Sequence, residues 1–188
     1  MFNENYKGKL LISSPEIVGD LFDKSIILIC EHDVNGSMGL IVNKPLTDVS
    51  LGTIWANLGY EKKNLHPVNE DVLIGGPLAS NAMFVIHSSE YFIDKKTIKV
   101  CEEISVTGTK EITDDIQEGK GPRKVLFSLG YSGWAPGQLE DEIMRDSWFV
   151  SEKIENLIFG VDYQSKWSEA LFLIGIDPAK LSSYAGSS

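Results

Sequence analysis

Glu31-His32 is the first pair in this sequence whose side chains can do chemistry. It ends an apolar run and opens the turn Asp33-Val34-Asn35-Gly36. An imidazole titrates at ~6.5 when unperturbed, so a histidine beside a carboxylate can move protons near neutrality. The plainer expectation is a hairpin-end pair bonded to loop backbone. The second place is Gly130-Tyr131-Ser132-Gly133-Trp134, between a strand and a helix, where a nucleophile elbow would stand. The G-x-S-x-G pattern fails because Trp134 occupies its fifth position. A serine nucleophile also needs a base and an oxyanion hole, and His32 and His87 qualify as bases by type alone. Ser132 is therefore expected to be a turn residue. The third is the start of the next helix. Amides near Gly137, Gln138 and Leu139 can attract an anion, but Glu140, Asp141 and Glu142 complement the helix dipole themselves and repel one.

Other chemistry is weakly represented. There is no phosphate-binding G-x-x-x-x-G-K-[ST] and no G-x-G-x-x-G after a strand. Gly119-Lys120-Gly121-Pro122 has lost an amide donor to Pro122 and is expected to be a plain loop. His32, His66 and His87 are far apart, and neither C-x-x-C nor H-E-x-x-H occurs, so no metal site and no cofactor are expected. Cys30 and Cys101 lie in apolar or β-branched stretches, which predicts buried thiols; a disulfide would need their Cα atoms within ~7 Å.

The net charge is −10, with seven of the ten excess acids in residues 101–188. The short basic pairs Lys62-Lys63, Lys95-Lys96 and Arg123-Lys124 are expected to be solvated surface. Direct nucleic-acid binding and attraction to anionic membranes are both disfavoured. No apolar run approaches the ~20 residues a bilayer demands, and the polar start lacks a leader's apolar core, which predicts a cytoplasmic protein.

These side chains need a scaffold. Lys9–Ser13 and Ser25–Glu31 are expected strands, the second apolar without alternation and so covered on both faces. Asn35-Gly36 turns the chain into a hairpin partner, Met38–Asn43. Leu51, Ile54, Trp55 and Leu58 keep helical spacing over 50–58, with Gly59 as the stop. Strands are expected at Val72–Ile74, Ala82–His87, Thr97–Cys101, Ile104–Val106, Lys124–Tyr131 and Trp148–Val150. Thr113 caps a short helix to Glu118. Ser132–Ala135 is a turn, and Pro136 stands at the first position of a helix running to about Asp146. Asp162 caps a last helix ending at Gly175. With no internal repeat and no linker, residues 1–188 form one domain. Hairpins with irregularly inserted helices predict an α+β fold with a largely antiparallel sheet.

The chain resembles the YqgE/AlgH family. The resemblance is carried by Gly8–Ile12, Ser25–Leu28, Glu31-His32, Gly36–Pro45, Gly75-Gly76-Pro77, Phe84–His87 and, above all, Gly130–Ile143. Trp148, Trp167–Leu171 and Leu173–Asp177 complete the pattern. It implies bacterial, cytosolic proteins of about this length, without an agreed function and with a label of transcriptional regulation. It also implies a sheet curled into a partial barrel with helices packed outside. Ser132 stands where the family commonly has alanine; Met38 and Lys44 stand where alanine and arginine are common. The resemblance supplies no catalytic residues.

The expected function is a non-enzymatic binding or regulatory domain for a protein or small-molecule ligand. Its candidate recognition residues are Glu31, His32, Asn43, Tyr131, Trp134, Gln138 and Glu140, on two segments expected to meet around one groove. The alternative is a hydrolase-like enzyme using Glu31, His32 or Glu140.

Overall fold

The computed structural model describes residues 4–60, 71–152, 155–160 and 162–180; His66 and Lys62-Lys63 lie outside them. The described strands are β1 Leu10–Ser13, β2 Ile26–Asp33, β3 Gly36–Ile41, β4 Val72–Ile74, β5 Leu78–Ser88, β6 Thr97–Lys99, β7 Ile104–Thr107, β8 Val125–Trp134 and β9 Trp148–Ser151. The helices are α1 Leu51–Asn57, α2 Lys110–Gln117, α3 Gln138–Met144, α4 Glu155–Phe159 and α5 Lys166–Leu173. The strands run in the order β6-β7-β5-β8-β3-β2-β1-β9, antiparallel throughout, with β4 added parallel to β8. The result is an α+β fold whose antiparallel sheet curls into a half-barrel.

Why the strands are apolar without alternation is plain from what covers each face. Leu10, Ile12, Ile26, Leu28, Leu40 and Val42 point into an inner core that also receives Ile86, Val106 and Leu126, and Leu157, Ile158 and Leu171 of α4 and α5. Their neighbours Leu11, Ile27, Ile29 and Ile41 point to the other face, under Leu139 of α3 and Trp148. A third cluster joins α1 and α2 to the outer face of β5 and β8 through Trp55, Ile112 and Phe127. Burying each such side chain contributes ~1.5–3 kcal/mol.

Two irregularities decide which way the site residues face. In β2 the register shifts between Ile29 and Glu31. Strict alternation would send His32 to the inner face with Leu28 and Cys30. The bulge inverts that parity, and His32 instead meets Tyr6, a member of the outer cluster. In β8 the break is Gly130, at φ 71°. Phe127 and Leu129 face the outer cluster of α1 and α2, but Tyr131 turns inward, and Trp134 lands on the outer face beside α3. Gly130 also lies against Gly75-Gly76, where β4 hands over to β5. A Cβ on Gly75 would stand 2.3 Å from the Gly130 carbonyl oxygen, and one on Gly76 would stand 2.2 Å from the Tyr131 carbonyl carbon.

Several sequence expectations are corrected. Ser132–Trp134 is not a turn: it continues β8 and pairs with Ser37–Gly39 of β3, with Ser132 and Trp134 both buried on one side of the strand and Gly133 exposed on the other. Thr113 does not cap α2. The helix starts at Lys110 after Thr109, and Thr113 is buried within it. Pro136 precedes the cap position Gly137, so α3 begins two residues later than a first-position proline would require. Asp162 accepts amide hydrogen bonds from Gln164 and Ser165, at 3.1 and 3.0 Å, and thus braces the turn before α5. Cys30 is buried and Cys101 half-buried, both as free thiols, and burial pushes both thiols up. Among the described residues no helix is long and apolar enough to cross a membrane.

Lys166 is an unforeseen core residue. Its ammonium donates to the carbonyls of Val42 and Ile158, tying the residue just after β3 to the end of α4. Burial pulls it down to about 8, and Asp162 only partly opposes this.

Candidate functional site

Strand β8 ends at Trp134, α3 follows, and β9 begins at Trp148. A tryptophan therefore stands on either side of one short helix, and a buried indole N–H needs a partner. Both find the same one. Trp134 Nε1 and Trp148 Nε1 each donate to Oε2 of Glu142, at 2.8 Å. Gln138, one turn earlier on α3, donates Nε2 to Oε1 of Glu142 at 2.9 Å and accepts from the Ala135 amide at 3.0 Å. The two indole rings lie 6.3 Å apart at 81°, and Phe22 meets Trp148 edge-on at 5.8 Å and 87°. Three aromatic rings thus stand nearly perpendicular in succession around one carboxylate.

A solvent-open hollow of about 380 Å³ lies against this cluster. Ser132, Gly133 and Trp134 of β8 form one wall, Gln138 and Glu142 of α3 another. Ser147 and Trp148 close a third side. Ile17, Asp20 and Phe22 come from the loop after β1, and Pro77 and Leu78 from the start of β5. The Ser132 hydroxyl donates to the Gly75 carbonyl at 3.3 Å, the role of a structural hydroxyl.

The candidates named from sequence separate into groups. Trp134 and Gln138 line the hollow. His32 and Glu140 form a second centre nearby: His32 Nε2 is 3.7 Å from Glu140 Oε1, and His32 Nδ1 is 2.7 Å from Ser37 Oγ. With its proton on Nε2, the imidazole accepts from the Ser37 hydroxyl, which is the sense a general base needs. Ser37 is buried, however, and the His32 side chain is only 8% exposed, packed edge-on against Tyr6 at 5.2 Å. Glu31 is exposed on β2 opposite Met38. Tyr131 turns to the inner core and meets Phe84 edge-on at 6.1 Å. Asn43 is a structural residue: its Oδ1 accepts from the Ile26 amide and its Nδ2 donates to the Lys24 carbonyl, both at 2.8 Å. Six residues of extended chain separate Asn43 from Ser37, about 20 Å.

The two segments expected to meet therefore do so, as paired strands, but no side chain from residues 31–45 lines the hollow. Its opposite walls come from the loop after β1, from Pro77-Leu78 and from Trp148, which sequence reasoning missed together with Glu142. The available signal was the pair of tryptophans flanking α3, with Gln138 and Glu142 one turn apart between them.

His87, weighed as a base, is fully buried with both ring nitrogens engaged. Nδ1 bonds the Ser88 carbonyl and Nε2 the Thr107 hydroxyl, both at 2.9 Å. Burial lowers its pKa.

The architecture defines a class: a curled antiparallel half-barrel of α+β type with an aromatic and acidic hollow at one strand end. Within that class the chain belongs to the AlgH-like family, whose model matches residues 10–179. A UPF0301 protein of Paracoccus denitrificans is 36% identical over 186 residues, spanning 98% of this chain and 97% of the relative. A UPF0301 protein of Bradyrhizobium diazoefficiens is 40% identical, spanning 95% and 86%. The solution structure of the AlgH protein from Pseudomonas aeruginosa superposes with a TM-score of 0.77 at 27% identity, covering 100% of this chain and 98% of that one. A crystal structure from Corynebacterium diphtheriae shares the fold, with a TM-score of 0.73 at 21% identity, covering 98% and 94%.

Proposed function

We propose that this chain is a non-enzymatic recognition domain acting through the hollow beside Trp134, Glu142 and Trp148. The observation that carries the reading is the convergence of both indole N–H groups on one carboxylate oxygen at the wall of a solvent-open cavity. Aromatic walls held by hydrogen bonds, with a few polar groups to orient a guest, are what ligand sites provide. Any regulatory role would act through a bound partner rather than through DNA. A net charge of −10 and a hollow lined by Asp20 and Glu142, with no basic residue among the described lining residues, oppose phosphate contacts. Cytoplasmic residence fits this reading.

The test is a two-dimensional NMR screen of the 15N-labelled protein against small fragments and short peptides. Shifts centred on the Trp134 and Trp148 indole signals are expected. Hits centred elsewhere, or none, would remove the hollow as the recognition site.

A second reading has its own observation, the Ser37–His32–Glu140 relay. It makes the protein a hydrolase with Ser37 as nucleophile. It predicts turnover of activated esters that vanishes in both Ser37→Ala and His32→Gln. The burial of Ser37 and its absence from the hollow's lining favour the first reading.

A further inference from the structure

We infer that the hollow receives an arginine side chain from a partner polypeptide, its guanidinium against the indole walls and bonded to Oε1 of Glu142. This rests on the recognition reading above and names the chemistry of the guest.

Three observations point the same way. The first is charge. Among the described residues, Asp20 and Glu142 are the hollow's ionisable lining residues, and no lysine, arginine or histidine lines it. The potential inside is negative, so a cation is drawn in and an anion is turned away.

The second is the inventory of lone pairs. Two indole donors fill both acceptor directions of Glu142 Oε2, and Gln138 takes one on Oε1. One direction on Oε1 is left for a donor from outside. Asp20 uses Oδ1 on the Phe22 amide at 2.7 Å, which leaves its other oxygen at the wall. The site therefore offers acceptors alone at its two carboxylates, and a guest must bring N–H groups.

The third is shape. Phe22, Trp148 and Trp134 line the hollow with their rings at near right angles to one another. A planar, weakly hydrated guanidinium stacks on aromatic rings and carries five donors in a fork, whereas an ammonium holds its water more tightly. A volume of about 380 Å³ also exceeds what a bare ammonium fills and suits a side chain with its stem. The polypeptide source follows from the rim. Leu78 lines the hollow and is 44% exposed, and Val18, beside Ile17, is 72% exposed. These apolar groups outside the polar floor would pack against residues flanking the inserted arginine.

The experiment follows the indole N–H signals of Trp134 and Trp148, with Trp55 and Trp167 as internal references. The probes are four: the capped peptide Gly-Arg-Gly, the same peptide with citrulline or lysine in place of arginine, and free agmatine. The arginine peptide is expected to move the two site indoles and to bind about tenfold more tightly than its neutral, isosteric citrulline counterpart, about 1.4 kcal/mol. Lysine should fall between them, and added salt should erode the preference. Glu142→Gln should abolish the arginine-over-citrulline ratio while Trp55 and Trp167 hold their positions. If that variant fails to fold, Asp20→Asn should reduce the same ratio.

Equal binding of arginine and citrulline peptides overturns the cation assignment and leaves the recognition reading intact. So does silence from the arginine peptide where neutral fragments still move the indoles. Agmatine binding as tightly as the peptide overturns the polypeptide source. Silence from every probe and every fragment overturns both readings.

Discussion

The two ends of β8 teach by contrast. Where the strand begins, a hollow of about 500 Å³ is lined by Ser88, Ser89, Glu90, Lys99, Arg123 and Lys124, with Glu102 and Glu103. It is larger than the hollow at the Trp134 end, yet its polar groups serve one another. Glu90 Oε1 accepts from Ser88 Oγ at 2.8 Å and from the Arg123 amide at 2.6 Å, and Arg123 Nε stands 3.4 Å away. Ser88 in turn accepts from the Lys124 amide at 3.0 Å. Charges of both signs meet there, and the bonds knit β5 to the entry of β8. At the strand's other end the carboxylates outnumber the cations and the walls are aromatic. Volume alone does not tell the two hollows apart; on the proposed reading, the balance of donors to acceptors separates a brace from a recognition site.

The contrast can be broken first at the aromatic end. Trp148→Ala should cost ~3–5 kcal/mol in urea unfolding, because it removes a buried ring and one of the donors on Glu142. A loss below ~1 kcal/mol would mean that the aromatic cluster does not hold α3 to β9. Trp134→Phe keeps an aromatic ring but removes the N–H and one ring of the indole, so the expected loss is smaller than for full truncation, ~1–3 kcal/mol. Its sharper readout is a moved Trp148 indole signal, since the two share one oxygen.

The charged end should respond to acid. Partial burial works to raise the Glu90 carboxyl, but the Arg123 amide, its own amide, Ser88 and the Arg123 charge pull it down to about 2. A carboxylate with a lowered folded pKa stabilises the fold above the unfolded value, near 4.5, and loses that contribution as pH falls toward 2. Glu90→Gln should therefore cost ~1–2 kcal/mol at pH 7 after solvent screening, and the difference from wild type should vanish near pH 2. A difference constant across that range would remove the charge argument. The smallest effect is expected from Arg123→Ala, whose side chain is 82% exposed: ~0–1 kcal/mol in stability and no change in binding of the arginine peptide.

How far the sequence predicted all this varies with the reach of each interaction. Ile26–Cys30 was legible as a doubly covered strand because an unbroken apolar run leaves few other options. The Asn35-Gly36 hairpin and α1 were legible because their signals are local: a turn dipeptide, and the spacing of Leu51, Ile54, Trp55 and Leu58. The end of β8 was misjudged because Gly133, Pro136 and Gly137 punctuate like a turn, while the pairing that keeps 132–134 extended comes from β3, about a hundred residues earlier in the chain. Helix α4 has five residues, too few for a period to register. In the candidate site, Trp134 and Gln138 were found by residue type. Glu142 was passed over because its own neighbours are acidic, and its partners sit on two different strands. The inverted parities at the β2 bulge and at Gly130 were invisible to any reading that assumes strict alternation, and they decide where His32, Tyr131 and Trp134 point.

The contact of Gly75-Gly76 with Gly130 has a consequence for how the chain can err. A slide of β8 by one position would bring Leu129 or Tyr131 opposite a backbone that has no room for even a methyl group. The strand is indexed there like a pin in a notch. Mispaired arrangements that elsewhere in a sheet would be near neighbours in energy are barred at this crossing. An indel within β8 should be tolerated far less than one of the same length in the loops on either side of it.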